Sequence, residues 1–126
     1  MNLIHEYGHG MVCLAEENEF KIGLSLSGGS LVCIGNLKNQ YLFYASGGLF
    51  ATLVSLTPFI KKQWVINRKW PAVVSLSFAI SNAINALFET FFHDWYINES
   101  AQSAMVMGVL SLVVFGILIF KFGEKE

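Results

Sequence analysis

Three long runs without a charged residue dominate this chain: Tyr41 to Ile60, Trp70 to Phe88, and Ser100 to Phe120. A helix needs about 20 apolar residues to cross the roughly 30 Å hydrocarbon core of a bilayer, and each run is close to that length. A soluble domain carries about 25% charged residues, whereas 13% of this chain is charged and 54% is hydrophobic. That polar surface is too small to cover three such helices in water. The expected fold class is mainly α: a polytopic transmembrane helical bundle, integral to the membrane and multi-pass. A net charge of -1 by itself says nothing about nucleic acid, but no basic patch is visible, and no nucleic-acid partner is expected.

The chemistry is concentrated in His5-Glu6-Tyr7-Gly8-His9, which has the form HExxH. Residues four apart on a helix lie one above the other, so His5 and His9 can offer two imidazole nitrogens to one metal ion. Glu6 sits one position round the helix. It is poorly placed as a ligand but within reach of a water at the metal. The residue types fit zinc hydrolysis: neutral imidazoles suit the metal, the metal acidifies water, and a carboxylate takes the proton. Only 3 histidines occur in the chain, and two of them flank this glutamate.

The first helix is expected from about 1 to 18, ending in Glu16-Glu17-Asn18-Glu19. Only four residues precede His5, too few for a full crossing, so either Met1 is not the true start or the helix is only partly embedded; a chain lacking its N-terminal part is the favoured expectation. No cleavable signal peptide is expected, because the N-terminus has no basic stretch. Phe20, Ile22, Leu24 and Leu26 alternate with Lys21, Gly23, Ser25 and Ser27, the period of a half-buried strand. With Gly28-Gly29 as the turn and Ser30 to Ile34 as a second strand, residues 20–36 read as a β-hairpin. Helices are expected over 40–60, 70–93 and 103–121. The first of these carries Ala45-Ser46-Gly47-Gly48, small residues that let backbones approach in lipid.

Lys61, Lys62, Arg68 and Lys69 are four of the 8 basic residues. They assign the loop 61–69 to the cytoplasm by the positive-inside rule, with Trp64 and Trp70 as interfacial anchors. Ser81, Asn82 and Asn85 are expected to hydrogen-bond between helices. Cys13 falls one turn after His9, and two cysteines are too few to announce a disulfide framework, so Cys13 is read as core filler. Asn98-Glu99-Ser100 matches a short glycosylation pattern of low specificity.

A catalytic zinc site has three protein ligands and one open position. Asp94, His93 and Glu89, near the end of the 70–93 helix, are the candidates for the third. Asp94 is the expected ligand and His93 the second choice. A bend between Phe91 and Trp95 would be needed to carry Asp94 down to the depth of the histidines.

HEYGHG in an apolar helix, then a hairpin, a glycine-rich helix and a later aspartate resembles the site-2 protease family of intramembrane zinc metalloproteases, in its compact, divergent branch. The resemblance follows the order of elements over most of the chain. It implies zinc held by His5, His9 and Asp94, Glu6 as the catalytic carboxylate, and membrane proteins or transmembrane peptides as substrates. The sequence departs from the family where Asp94 is followed by Trp95 rather than glycine. The expected function is a zinc metalloendopeptidase acting within the lipid bilayer on membrane-protein substrates. The alternative is a catalytically inactive protein of the same fold that binds other membrane helices. A transporter, lined by Asn82, Asn85 and Glu89 and assembled as a homo-oligomer, ranks behind both.

Overall fold

The computed structural model describes residues 2–25, 28–60 and 69–123. In chain order these form α1 (Asn2–Ala15), β1 (Glu19–Ser25), β2 (Gly28–Ile34) and α2 (Gln40–Ser55), the last followed by a 3-10 turn at Thr57–Phe59. Then come α3 (Lys69–Phe91), α4 (His93–Asn98) and α5 (Ser100–Gly123). The chain is thus mainly helical with one two-stranded antiparallel hairpin after the first helix. Positions 61–68, which include Lys61, Lys62, Trp64 and Arg68 of the basic loop, lie outside the described residues.

Among the described residues, three helical segments are long and apolar enough to cross a membrane: Gln40–Phe59, Trp70–Phe91 and Ala101–Phe122. Their surfaces agree with that length. Leu53, Leu112, Ile117 and Phe120 all expose more than half of their area, as side chains that face lipid would.

Small residues set the packing. A β-carbon on Gly8 of α1 would lie 2.5 Å from the Ser46 carbonyl oxygen and 2.9 Å from the Gly47 α-carbon of α2. One on Gly48 would lie 2.6 Å from the Asn82 carbonyl oxygen of α3. α2 is therefore clasped at backbone distance by α1 on one side and α3 on the other, as small residues permit in lipid. Thr52 Oγ1 adds a hydrogen bond to the Ala79 carbonyl at 3.2 Å. Because residue 48 meets 82 and 86 while residue 52 meets 79, α2 and α3 run antiparallel. Asn82 differs from its expected role: its amide donates back to Phe78 O of its own helix at 2.7 Å.

The end of α1, the hairpin and the start of α2 are tied together. The Glu16 carboxylate accepts from the backbone amides of Lys38 (2.7 Å) and Asn39 (3.2 Å), just ahead of α2. Asn39 then caps α2 by accepting from Leu42 N at 3.0 Å, so donors that the helix cannot satisfy itself find partners. Glu17 adopts a left-handed conformation (φ 62) as α1 closes, and Asn18 N reaches back to Cys13 O at 3.0 Å. Cys13 is not loose core filler but is disulfide-bonded to Cys33 of β2, with α-carbons 5.9 Å apart. The two glycines expected to form the hairpin turn are instead paired within β2, Gly28 opposite Ser25 and Gly29 opposite Leu24.

Candidate metal centre

His5 and His9 lie on one face of α1, with their rings edge to face and centroids 4.8 Å apart. Gly47 gives them room, since a β-carbon there would come 2.7 Å from His5 Nε2 and closer still to His9 Nε2. His9 is 4% exposed and its ring is fixed from behind. Its Nδ1–H donates to the Phe43 carbonyl at 2.6 Å, while Ser46 Oγ, 3.3 Å from the same nitrogen, donates to that carbonyl as well. Histidine ligands are typically held this way, with the far nitrogen on a backbone carbonyl and the near one bare.

Facing the pair is Glu89, in the last turn of α3 and 9% exposed. Its Oε2 lies 3.1 Å from His5 Nε2, and its Oε1 3.2 Å from His9 Nε2. The two nitrogens are themselves 3.1 Å apart. Oε2 has no hydrogen-bond partner among the described residues, so its approach to His5 is proximity rather than an aligned bond. With the proton of His9 on Nδ1, its Nε2 presents a lone pair to a carboxylate oxygen that can only accept. Such an arrangement is relieved by a proton on the ring or by a metal cation between the groups. His5, His9 and Glu89 are the group of ligating side chains close enough to hold one metal ion among the described residues. Two imidazoles and a carboxylate are a donor set that leaves a metal with an open position, and tetrahedral coordination at about 2.0–2.2 Å would separate donors by roughly 3.3 Å.

The structure brings Glu89, not Asp94, to the histidines. α3 ends at Phe91, and Phe92 breaks the helix with φ -124 and ψ 35 before α4 begins. The chain does turn where a bend was required, but it carries Asp94 away. Asp94 lines a separate surface cleft with Tyr41, Tyr44 and Trp95. His93, the second choice, stacks on Tyr44 with centroids 3.6 Å apart. The signal for Glu89 was depth: it lies five residues nearer the membrane interior than Asp94, and no bend is needed to place it there.

Glu6 stands beside the metal-ligating group. Burial pushes its carboxyl above the ordinary carboxylate value, while His9 and His5 pull it back. Tyr96 of α4 closes the same region. Its hydroxyl donates to Asn85 Oδ1 at 2.9 Å, and burial followed by the nearby Glu89 charge holds its pKa above that of a free tyrosine. Tyr96 is therefore a neutral donor across the physiological range.

Comparison with protein-family models, curated proteins and solved structures finds no match to this chain.

Proposed function

We propose that this chain is a polytopic, membrane-embedded zinc metalloendopeptidase resembling the site-2 proteases, hydrolysing peptide bonds of membrane proteins. The observation that carries the reading is the convergence of His5 Nε2, His9 Nε2 and the Glu89 carboxylate to within 3.1–3.2 Å of one another beside Glu6. His5, His9 and Glu89 would hold the ion, with Glu89 in the role expected of Asp94. Zinc, when bound, supplies Lewis acidity that polarises a carbonyl and acidifies water.

Glu6 is the proton carrier. Its carboxylate takes a proton from the attacking water and returns it to the departing amine. Its partly buried setting suits the first of these steps, since a carboxylate raised above its ordinary value is a stronger base. The Phe43 carbonyl keeps the proton of His9 on Nδ1, so that Nε2 stays free to ligate. A substrate helix must unwind to expose an amide, and the hairpin edge beside α1 offers main-chain groups to hold the unwound segment as an added strand.

The test is Glu6→Gln. It should retain stoichiometric zinc in detergent-purified protein while kcat on a membrane substrate falls by about 10²–10⁴-fold. Equal cleavage by Glu6→Gln and wild type would refute the mechanism. Zinc binding without turnover in wild type would favour the inactive helix-binding protein instead.

A further inference from the structure

We propose that the cleft between the start of α2 and the break after α3 is a specificity subsite, and that it takes a basic side chain of the substrate, a lysine or arginine within about five residues of the bond that is cut. The proposal rests on the peptidase reading for the bond. The cleft itself is defined by charge and by the residues that wall it.

Its volume is about 510 Å³, room for a long side chain. Asp94 of α4 lines it, and no described lysine or arginine does. Asp94 makes no hydrogen bond or ion pair among the described residues. Its carboxylate therefore stands uncompensated in a cleft with aromatic walls, which include Tyr41, Tyr44, Phe92 and Trp95. Tyr44 and His93 form a two-ring stack, with centroids 3.6 Å apart and planes 17° from parallel. Aromatic faces attract cations and stack well on guanidinium groups. His93 Nδ1 is also buried, with no hydrogen-bond partner among the described residues. With the ring proton on Nε2, that nitrogen is an acceptor. An acid, an unfilled acceptor and aromatic walls are together the complement of a cation. A phosphate or a carboxylate would face Asp94 with no counter-charge.

The cation belongs to the segment being cut, because the cleft adjoins the metal centre along both of its sides. Tyr44 follows Phe43, whose carbonyl holds His9 at 2.6 Å. Thr90, which also lines the cleft, follows Glu89. Asp94 is five residues beyond Glu89, at most about 18 Å of chain. An extended substrate covers that distance with about five residues. The cleft also lies where membrane spans end, at the first residue of the Gln40–Phe59 segment and the last of the Trp70–Phe91 segment. Lysine and arginine near the ends of membrane helices extend to that border. The substrates are thus membrane segments with a basic residue at the border, close to the scissile bond.

The test begins with binding, which needs no turnover. Zinc-loaded Glu6→Gln protein in dodecyl maltoside is titrated with transmembrane peptides that differ at one border position, where they carry arginine, glutamine or glutamate. The arginine peptide should bind about tenfold more tightly than the glutamine peptide. Adding Asp94→Asn should erase that difference while zinc content stays unchanged. Adding Asp94→Lys should reverse the order, so that the glutamate peptide binds best, which a purely structural loss would not produce. Equal binding of the arginine and glutamine peptides overturns the proposal. So does a preference that survives Asp94→Asn, or one that vanishes when phosphatidylethanolamine is added, because the cleft then takes the ammonium of the lipid. Cleavage by wild type should fall within about five residues of the arginine, and a cut farther away overturns the placement of the subsite. An arginine preference without any cleavage by zinc-loaded wild type sinks the peptidase reading and leaves a cleft that recognises basic membrane segments.

Discussion

Gly47 presses against Nε2 of His9 so closely that a β-carbon at that position would overlap the nitrogen. The neighbour is a rigid ring that is also hydrogen-bonded to Phe43 O, so it has little freedom to retreat. Gly47→Ala should therefore remove metal binding without removing a ligand, read as loss of zinc from purified protein in a chelator competition. Gly108→Ala is the control. Nothing lies within 4 Å of a β-carbon there, and zinc content should be unchanged.

Exchanging the two acids that compete for the third ligand position separates sequence order from geometry. Glu89→Ala removes a donor that lies 3.1 Å and 3.2 Å from the histidine nitrogens. Losing an outer-shell partner weakens metal affinity by roughly 10–100-fold, and losing a ligand should cost at least as much. Asp94→Ala should leave affinity within error of wild type. Competition titration of both variants gives the answer. Tight binding by Glu89→Ala would remove it from the site.

Replacing both Cys13 and Cys33 with serine should destabilise the protein by roughly 3 kcal/mol, the loop-closure entropy expected for a bridge over a sequence separation of 20. Thermal unfolding in detergent should show this as a lower Tm, and wild type in reductant should reproduce it.

Glu16→Ala should cost about 1 kcal/mol, because the Lys38 and Asn39 amides lose their acceptor ahead of α2. In contrast, Glu17→Gly should be neutral or stabilising by up to about 1 kcal/mol, since glycine adopts the left-handed conformation found there without a side-chain penalty. Both shifts are measurable as Tm differences against wild type.

Local geometry was legible in the sequence, and tertiary geometry was not. The His5–His9 pair could be read because helical spacing alone places both rings on one face. The three apolar helices could be read because lipid demands length and lack of charge. The hairpin strands followed from their alternation, but the glycines misled: Gly28 and Gly29 sit within β2, where the partner strand rather than the residue type fixes their place. The third ligand depends on where α3 stops and how deep α1 lies, which no spacing records. Glu89 shares a face with Asn82 and Asn85, and that placement was visible. What was not visible was that the histidines of α1 stand opposite Glu89. The disulfide was hidden for the same reason, since a pair 20 residues apart can meet only once the hairpin has folded back on α1.

Gly8, Gly47 and Gly48 let one short stretch of α2 touch both of its neighbours. That stretch acts as a gauge block. It sets α1, which bears the histidines, and α3, which bears the glutamate, at matching heights. Sliding α2 by one helical turn, about 5.4 Å, would put bulkier side chains where Gly47 and Gly48 now sit and force the acid out of line with the rings. Assembly of the ion-binding pocket is thus inseparable from correct seating of the helices, and a misaligned chain would be born without it.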